Sequence, residues 1–139
     1  MCIRILIFAV LILKNKNTME DKIESLFNDI DSMDADKFVS YLDDNVTFTF
    51  GNAPTVKGKE ATRQMVDGFF KSIKGISHKK IRMWEHPDSI IYQGTSSYTR
   101  HDGSELTVPF LNVFILKGEK IIDYKIYIDL SQLYLPETV

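Results

Sequence analysis

Apolar positions first recur along the chain at helical spacing. Ile23, Leu26, Phe27 and Ile30 form one stripe, which predicts an amphipathic helix. Thr18 and Asp21 stand at its start as a capping-box pair, each able to satisfy a free backbone N–H of the first turn. Asp31-Ser32-Met33-Asp34 breaks the stripe. Asp34 can cap a second, shorter helix with Phe38, Val39 and Leu42 on its apolar side, ended by Asp43-Asp44-Asn45. The period then changes to two. Val46, Phe48 and Phe50 alternate with Thr47 and Thr49, a half-buried strand. Gly51-Asn52-Ala53-Pro54 makes a bend, because Pro54 has no N–H to give to a ladder. A third helix is predicted from Lys59 to Lys74, with Ala61, Met65, Val66, Phe69, Phe70 and Ile73 on a broad apolar face and Gly75 as its stop.

The rest reads as strands. Ser77–Glu85 and Ser89–Arg100 are two, and His101-Asp102-Gly103-Ser104 is a hairpin turn. A last hairpin runs from Glu105 to Leu130 around Lys117-Gly118-Glu119-Lys120. The predicted order is helix, helix, strand, helix and four antiparallel strands. This is an α+β domain, a curved sheet with helices on one face.

Composition narrows the function classes. At 139 residues the chain is one domain. Net charge is −2, and no basic run has nucleic-acid-binding length, so no nucleic-acid partner is expected. Basic residues between Lys57 and Arg82 read as a solvated face. The single cysteine, Cys2, excludes an intrachain disulfide and a Cys-rich zinc site. No H-x-H, H-E-x-x-H, phosphate-cradling glycine loop or G-x-S-x-G elbow is present, so neither metal nor cofactor is expected. His78, His86 and His101 fall at predicted strand starts or turns and are expected to be exposed. The N-terminus stands apart. Ile5–Leu13 is an apolar run between Arg4 and Lys14, too short for a stable membrane span of about 20 residues. Three readings of residues 1–18 stay open: a dispensable extension from an early start, a signal-like segment, or an added element packed on the domain. The domain itself is placed at 19–139, with a cytoplasmic location, or an exported one if residues 1–18 are a signal.

Four short stretches together resemble the nuclear transport factor 2-like superfamily, in its SnoaL-like, polyketide cyclase-like branch. They are Met33-Asp34-Ala35-Asp36 and Asp43-Asp44-Asn45-Val46, then Gly58-Lys59-Glu60-Ala61, and Gly118-Glu119-Lys120-Ile121 leading to Tyr127-Ile128-Asp129. The resemblance covers about Met19 to Tyr134. It implies a cone: a bent, mostly antiparallel sheet around a hydrophobic pocket, closed by about three helices. It also implies a homodimer through the outer sheet face and a small hydrophobic or aromatic ligand. The superfamily holds isomerases, cyclases, an epoxide hydrolase, dehydratases, pure binders and protein-interaction modules, so the site must decide function.

Ketosteroid isomerase chemistry needs a carboxylate base and two oxyanion donors. The base position falls near Thr49 or Phe50, which cannot take a proton, and an oxyanion donor position falls at Asn112. The epoxide hydrolase relay of Asp, Arg and Asp lacks two members, since its second strand here reads Gly94-Thr95-Ser96-Ser97-Tyr98. Polyketide cyclases ask for less: one acidic residue in an apolar pocket, for which Asp129 is the candidate. By strand parity Asp129 shares a face with Tyr127, opposite Ile122, Tyr124, Ile126 and Ile128. The functional reading puts Asp129 in the pocket with its pKa raised by desolvation, as an acid/base. The structural reading makes it a cap of the turn that follows. Asn112 shares parity with Phe110 and Phe114, and is either a group orienting the ligand or a core amide. Tyr127, Tyr98, Trp84, Phe50, Asn52 and Phe110 complete the candidate ligand contacts.

Three functions follow. The first is a small-molecule-binding cone domain. The second is a cofactor-independent lyase, isomerase or cyclase with Asp129 as acid/base. The third is a protein-interaction module with an exposed apolar rim. The helix reading carries one stability prediction. Phe69→Ala should cost about 3–5 kcal/mol in urea unfolding, and a loss under about 1 kcal/mol would mean that this face is not buried.

Overall fold

The computed structural model describes residues 18–134. Readings of residues 1–17 fall outside the described residues. Thr18 belongs to the domain as the N-cap of helix α1 (Met19–Asp31). Its hydroxyl accepts from Asp21 N–H, and the Asp21 carboxylate accepts from Thr18 N–H, so the expected capping box is formed in full. Helix α2 (Ala35–Val39) follows, capped by Asp34. Then come strand β1 (Leu42–Phe50), the two-residue strand β2 (Val56–Lys57) and helix α3 (Lys59–Lys71). Four long strands end the domain: β3 (Gly75–His86), β4 (Ser89–Thr99), β5 (Glu105–Lys117) and β6 (Lys120–Ile128).

The six strands form one curved, unclosed sheet in the order β2-β1-β6-β5-β4-β3. Every pair is antiparallel except β1 with β6. The last strand of the chain therefore lies inside the sheet, where the first long strand pairs with it in parallel. All three helices cover the concave face, and this is the expected α+β cone.

The boundaries differ from expectation where sheet pairing outcompetes local pattern. Leu42 leaves the second helix and opens β1, because Tyr41 C=O accepts from Ile121 N–H and Leu42 pairs with Ile121. Helix α3 ends at Lys71 rather than Lys74. The Ser72 hydroxyl bonds Phe69 C=O, and Lys74 N–H is taken by Thr99 C=O. Gly75 consequently starts β3 instead of capping a helix. Ala61 is exposed, and Thr62 takes the inward place, with its hydroxyl bonded to Gly58 C=O.

The core is continuous from α1 to β6. Ile23, Leu26, Phe27 and Ile30 are all buried, as the helical stripe required, and they meet Ile90, Tyr92, Phe110 and Phe114 on the sheet. Burying each such side chain is worth about 1.5–3 kcal/mol. From α3, Val66 and Phe70 are buried while Phe69 is only half-buried, so Phe70→Ala is expected to exceed Phe69→Ala in cost. Gly94 has a different role. A Cβ there would clash with Lys79 C=O and meet the Phe110 ring at 3.0 Å, because the β3 backbone and the ring both close over the missing side chain. Gly94→Ala should therefore destabilise by about 1–3 kcal/mol through overpacking, read as a lower urea midpoint with an unchanged slope. A shift of either sign within error would mean that β3 does not press on this position.

Candidate functional site

The concave face does not pack solid. A cavity of about 40 Å³ remains, on the order of three waters in size. Its wall is mostly rings and aliphatic chains: Phe27 and Ile30 from α1, Phe38 from α2, Phe48 and Phe50 from β1, and Val66, Phe69 and Phe70 from α3. The sheet supplies Phe110 and Ile126 together with five polar groups, His78, Ser96, Tyr98, Asn112 and Tyr124.

Alternation along each strand sets which groups point in. On β5, Phe110, Asn112 and Phe114 are buried while their odd-numbered neighbours face out. Asn112 is 2% exposed. Its Nδ2 donates to the Tyr124 hydroxyl at 3.4 Å, and its Oδ1 has no partner. Tyr124 OH is the one group bonded to this amide, so either orientation of the amide leaves one end free. A buried polar atom without a partner costs about 1–3 kcal/mol, so this amide is destabilising as it stands.

Tyr124 itself is wholly buried, and desolvation raises its pKa far above the usual phenol value. Tyr98 is pushed up to about 12 by burial. Both phenols are therefore neutral at physiological pH and can donate. The proton of the Tyr124 hydroxyl has no acceptor among the described residues.

The most organised polar element was not expected. His78 was read as exposed, yet its side chain is only 8% exposed and lines the cavity. It sits on β3 opposite Ser96 of β4, on the inward face. Asp31, the last residue of α1, holds it at two points. Asp31 Oδ1 accepts from His78 Nδ1 at 2.5 Å, and Asp31 Oδ2 accepts from His78 N–H at 3.2 Å. The imidazole also stands edge-on to Phe27 and Phe110, with centroids 5.0 and 5.3 Å away. A carboxylate on one side and rings on two others fix both its tautomer and its angle.

The placement of Asp129 is a correction. It lies beyond the end of β6, exposed, and Oδ1 accepts from Ser131 N–H at 2.9 Å. The Ser131 backbone and side chain hold its carboxyl below the usual range instead of above it. The turn-capping alternative describes this residue, and the parity argument failed in its choice of face. Tyr124, Ile126 and Ile128 point into the cavity, while Tyr127 is 57% exposed on the outer face. Trp84 also faces outward, paired with Ile91, and carries the Arg82 guanidinium 4.8 Å from its ring centroid. Asn52 is an exposed residue of the bend after β1. Of the expected ligand contacts, Tyr98, Phe50, Phe110 and Asn112 share the cavity wall.

A signal for His78 was present in weak form. Ile76 and His78 share parity on a strand whose other early residues are charged or polar. Nothing in the sequence linked His78 to Asp31, 47 positions away. Among the described residues no group of three or more His, Cys, Asp or Glu is placed to hold a metal ion, and no helix is long and apolar enough to cross a membrane.

Comparison with known proteins now fits this geometry. The SnoaL-like domain model matches residues 23–124, and the chain belongs to that family. No match is found among curated proteins. Solved structures of the same fold include TerC co-crystallised with polyporic acid, at 15% identity, covering 83% of this chain and 94% of that one with a TM-score of 0.72. A putative polyketide cyclase from Xanthomonas campestris pv. campestris aligns at 13% identity over 83% and 93%, with a TM-score of 0.75. An LEH-like epoxide hydrolase from M. tuberculosis aligns at 16% identity over 78% and 80%, with a TM-score of 0.67. At these identities the likeness is one of fold.

The unpartnered amide carries a prediction. Asn112→Leu keeps the branched heavy-atom shape and removes the orphaned oxygen but leaves the Tyr124 hydroxyl without its partner, so the two effects offset and stability should fall by less than about 2 kcal/mol. A loss above about 3 kcal/mol in urea unfolding would mean that Asn112 is a fully bonded core amide with no free valence toward the cavity.

Proposed function

We propose that this chain is a small-molecule-binding domain whose ligand enters the aromatic cavity and gives a hydrogen bond to Asn112. The observation that carries this reading is the buried, unpartnered Asn112 Oδ1 in a mostly aromatic and aliphatic chamber. Membership in the SnoaL-like family supports it, as does a protein of the same fold that was crystallised with polyporic acid. Such a site takes a mainly apolar or aromatic molecule with one or two polar groups: rings bind the body and the amide fixes the orientation.

Forty cubic ångströms is less than a ring-sized ligand needs, so the wall must give. Phe50 and Phe69 are the two residues shared between the cavity and an outer groove formed by Ala53, Met65, Gly68, Ser72, Leu130 and Tyr134. Their rings meet edge-on with centroids 4.8 Å apart. Rotation of this pair joins the two spaces and is the proposed entry route.

The outer face of the sheet is the proposed dimer surface. Ile91, Leu111, Val113, Trp84 and Tyr127 share it, in register across four strands. Placing a charge at its centre with Leu111→Lys should yield a monomer by sedimentation. A dimer unchanged by that substitution would move the interface elsewhere.

Native mass spectrometry of the gently purified full chain tests the ligand reading. Co-purified small-molecule mass is expected in the native protein and in Asp129→Asn, and reduced in Asn112→Leu. Equal retention by Asn112→Leu, or a protein that takes up no member of a library of hydroxylated aromatics, would remove this proposal.

A further inference from the structure

We propose that the segment Leu130–Tyr134 is a strap that gates the cavity, with Arg100 as its latch. This rests on the cavity being a ligand site, and adds to it the step that admits and releases the ligand. Three observations support it.

The first is what the strap covers. Strand β6 ends at Ile128, and the chain turns at Asp129, whose Oδ1 accepts from Ser131 N–H. From there it runs on without strand pairing. Leu133 is its one buried residue, and it is fully buried. It clusters with Ile73 and Tyr98, and the partly buried Phe69, Ile76 and Ile128 pack against that cluster. Tyr98, Phe69, Ile76 and Ile128 also line the cavity. Leu133 thus backs the cavity wall from outside, and lifting it bares Tyr98 and Phe69.

The second is how the strap is held. The Arg100 guanidinium is fixed to the β4–β5 turn, where Nη1 donates to the Ser104 hydroxyl at 3.1 Å and to Glu105 C=O at 3.3 Å. From that base Nε donates to Leu133 C=O at 2.7 Å and Nη2 to Gln132 C=O at 2.8 Å. The rigid fork grips two successive carbonyls at once, which the single ammonium of a lysine does not match. Beyond it the Tyr134 and Ser72 hydroxyls share a bond of 2.6 Å. One buried side chain and a few exposed or half-buried bonds hold the strap, whereas β6 beside it is paired with β1 on one side and β5 on the other. An element attached at so few points opens locally while the sheet stays closed.

The third is its place at the entry route. Leu130 and Tyr134 wall the outer groove together with Phe50 and Phe69. Lifting the strap widens that groove and removes the outer contact of the Phe69 ring, so one movement clears the path and frees the ring to turn. Once the ligand is in, Leu133 returns, the latch reforms and the chamber closes behind it.

The test uses the full chain with 2-naphthol as the probe. Stopped-flow fluorescence reads its association and dissociation, and amide hydrogen exchange by mass spectrometry reads the strap. In the native protein the strap amides should exchange faster than those of β4 and β5. Arg100→Gln should speed exchange in the strap alone, and raise both 2-naphthol rates by about tenfold or more, as loss of a hydrogen bond to a charged group would. Tyr134→Phe removes only the hydroxyl on Ser72 and should raise both rates by about threefold, the effect of one neutral bond. A merely structural strap would lower the urea midpoint in these variants and leave both rates alone. Bound 2-naphthol with both rates within about twofold of native in the two variants overturns the gate and leaves the ligand site standing. Strap amides that exchange no faster than β4 and β5 do the same. Absence of 2-naphthol binding overturns both.

Discussion

A phenol hydroxyl buried among rings is the constraint on which this interior depends. Tyr124 is wholly inaccessible, with the rings of Phe38, Phe48 and Phe114 centred 5.7, 5.3 and 4.5 Å from its own. Those rings come from α2, β1 and β5, so one side chain of β6 ties a helix and two other strands to its own. Its ring is an asset there, but its oxygen is costly without a partner. The Asn112 amide meets that need from the adjacent strand, and in doing so leaves its own other end unpaired. One polar atom in the core thus brings in a second, and the second leaves an unpaired oxygen in the cavity wall. A Phe at 124 would have needed no amide on the adjacent strand.

Helix α1 supplies the other half of the site. Its position comes from burial, since Ile23, Leu26, Phe27 and Ile30 outweigh the ion pairs of Lys80 with Glu20 and Glu24. Partly exposed pairs of that kind contribute about 0–1 kcal/mol. Packing therefore decides where the helix ends, and its end decides where Asp31 stands. That carboxylate sits at the negative end of the helix dipole, with no basic residue in the last turn, which disfavours it by some tenths of a kcal/mol. The two hydrogen bonds from His78 compensate. The polar pair does not hold the fold together; the fold holds the pair, at the wall of the cavity.

The site also shows why family membership leaves function open. Structures at 13–16% identity share this cone with TM-scores of 0.67 to 0.75. What they share is a sheet with one concave face and helices across it. The inward-facing positions of that sheet are few, and each can change its chemistry without disturbing the outer alternation. Here those positions carry an imidazole, an amide and two phenols rather than the carboxylate that the resemblance led one to seek at Asp129.

Periodicity in the chain settled the number and kind of most elements, because burial on one face of a helix or strand leaves a local trace. The Ile23–Ile30 stripe, the Val46–Phe50 alternation and the turns at Gly103 and Gly118 are such traces, and both glycines take the positive φ that their turns need. Inward placement of Phe110 and Asn112 followed from the same alternation. Local pattern failed where distant pairing decided: Leu42 was drawn into β1 by Ile121, and Lys74 was drawn out of its helix by Thr99. It failed again at the choice of face on β6, where alternation gives two faces but not which one the sheet curls toward. Tyr127 and Asp129 fell outside and Tyr124 inside for that reason. The contact of His78 with Asp31 joins residues 47 apart through the packing of a helix on an edge strand, and no spacing in the chain encodes it. Sequence determined the elements and the family, since these rest on local free energies. Tertiary structure alone decided which polar groups meet in the cavity, since that rests on the curvature of the sheet and the angle at which α1 crosses it.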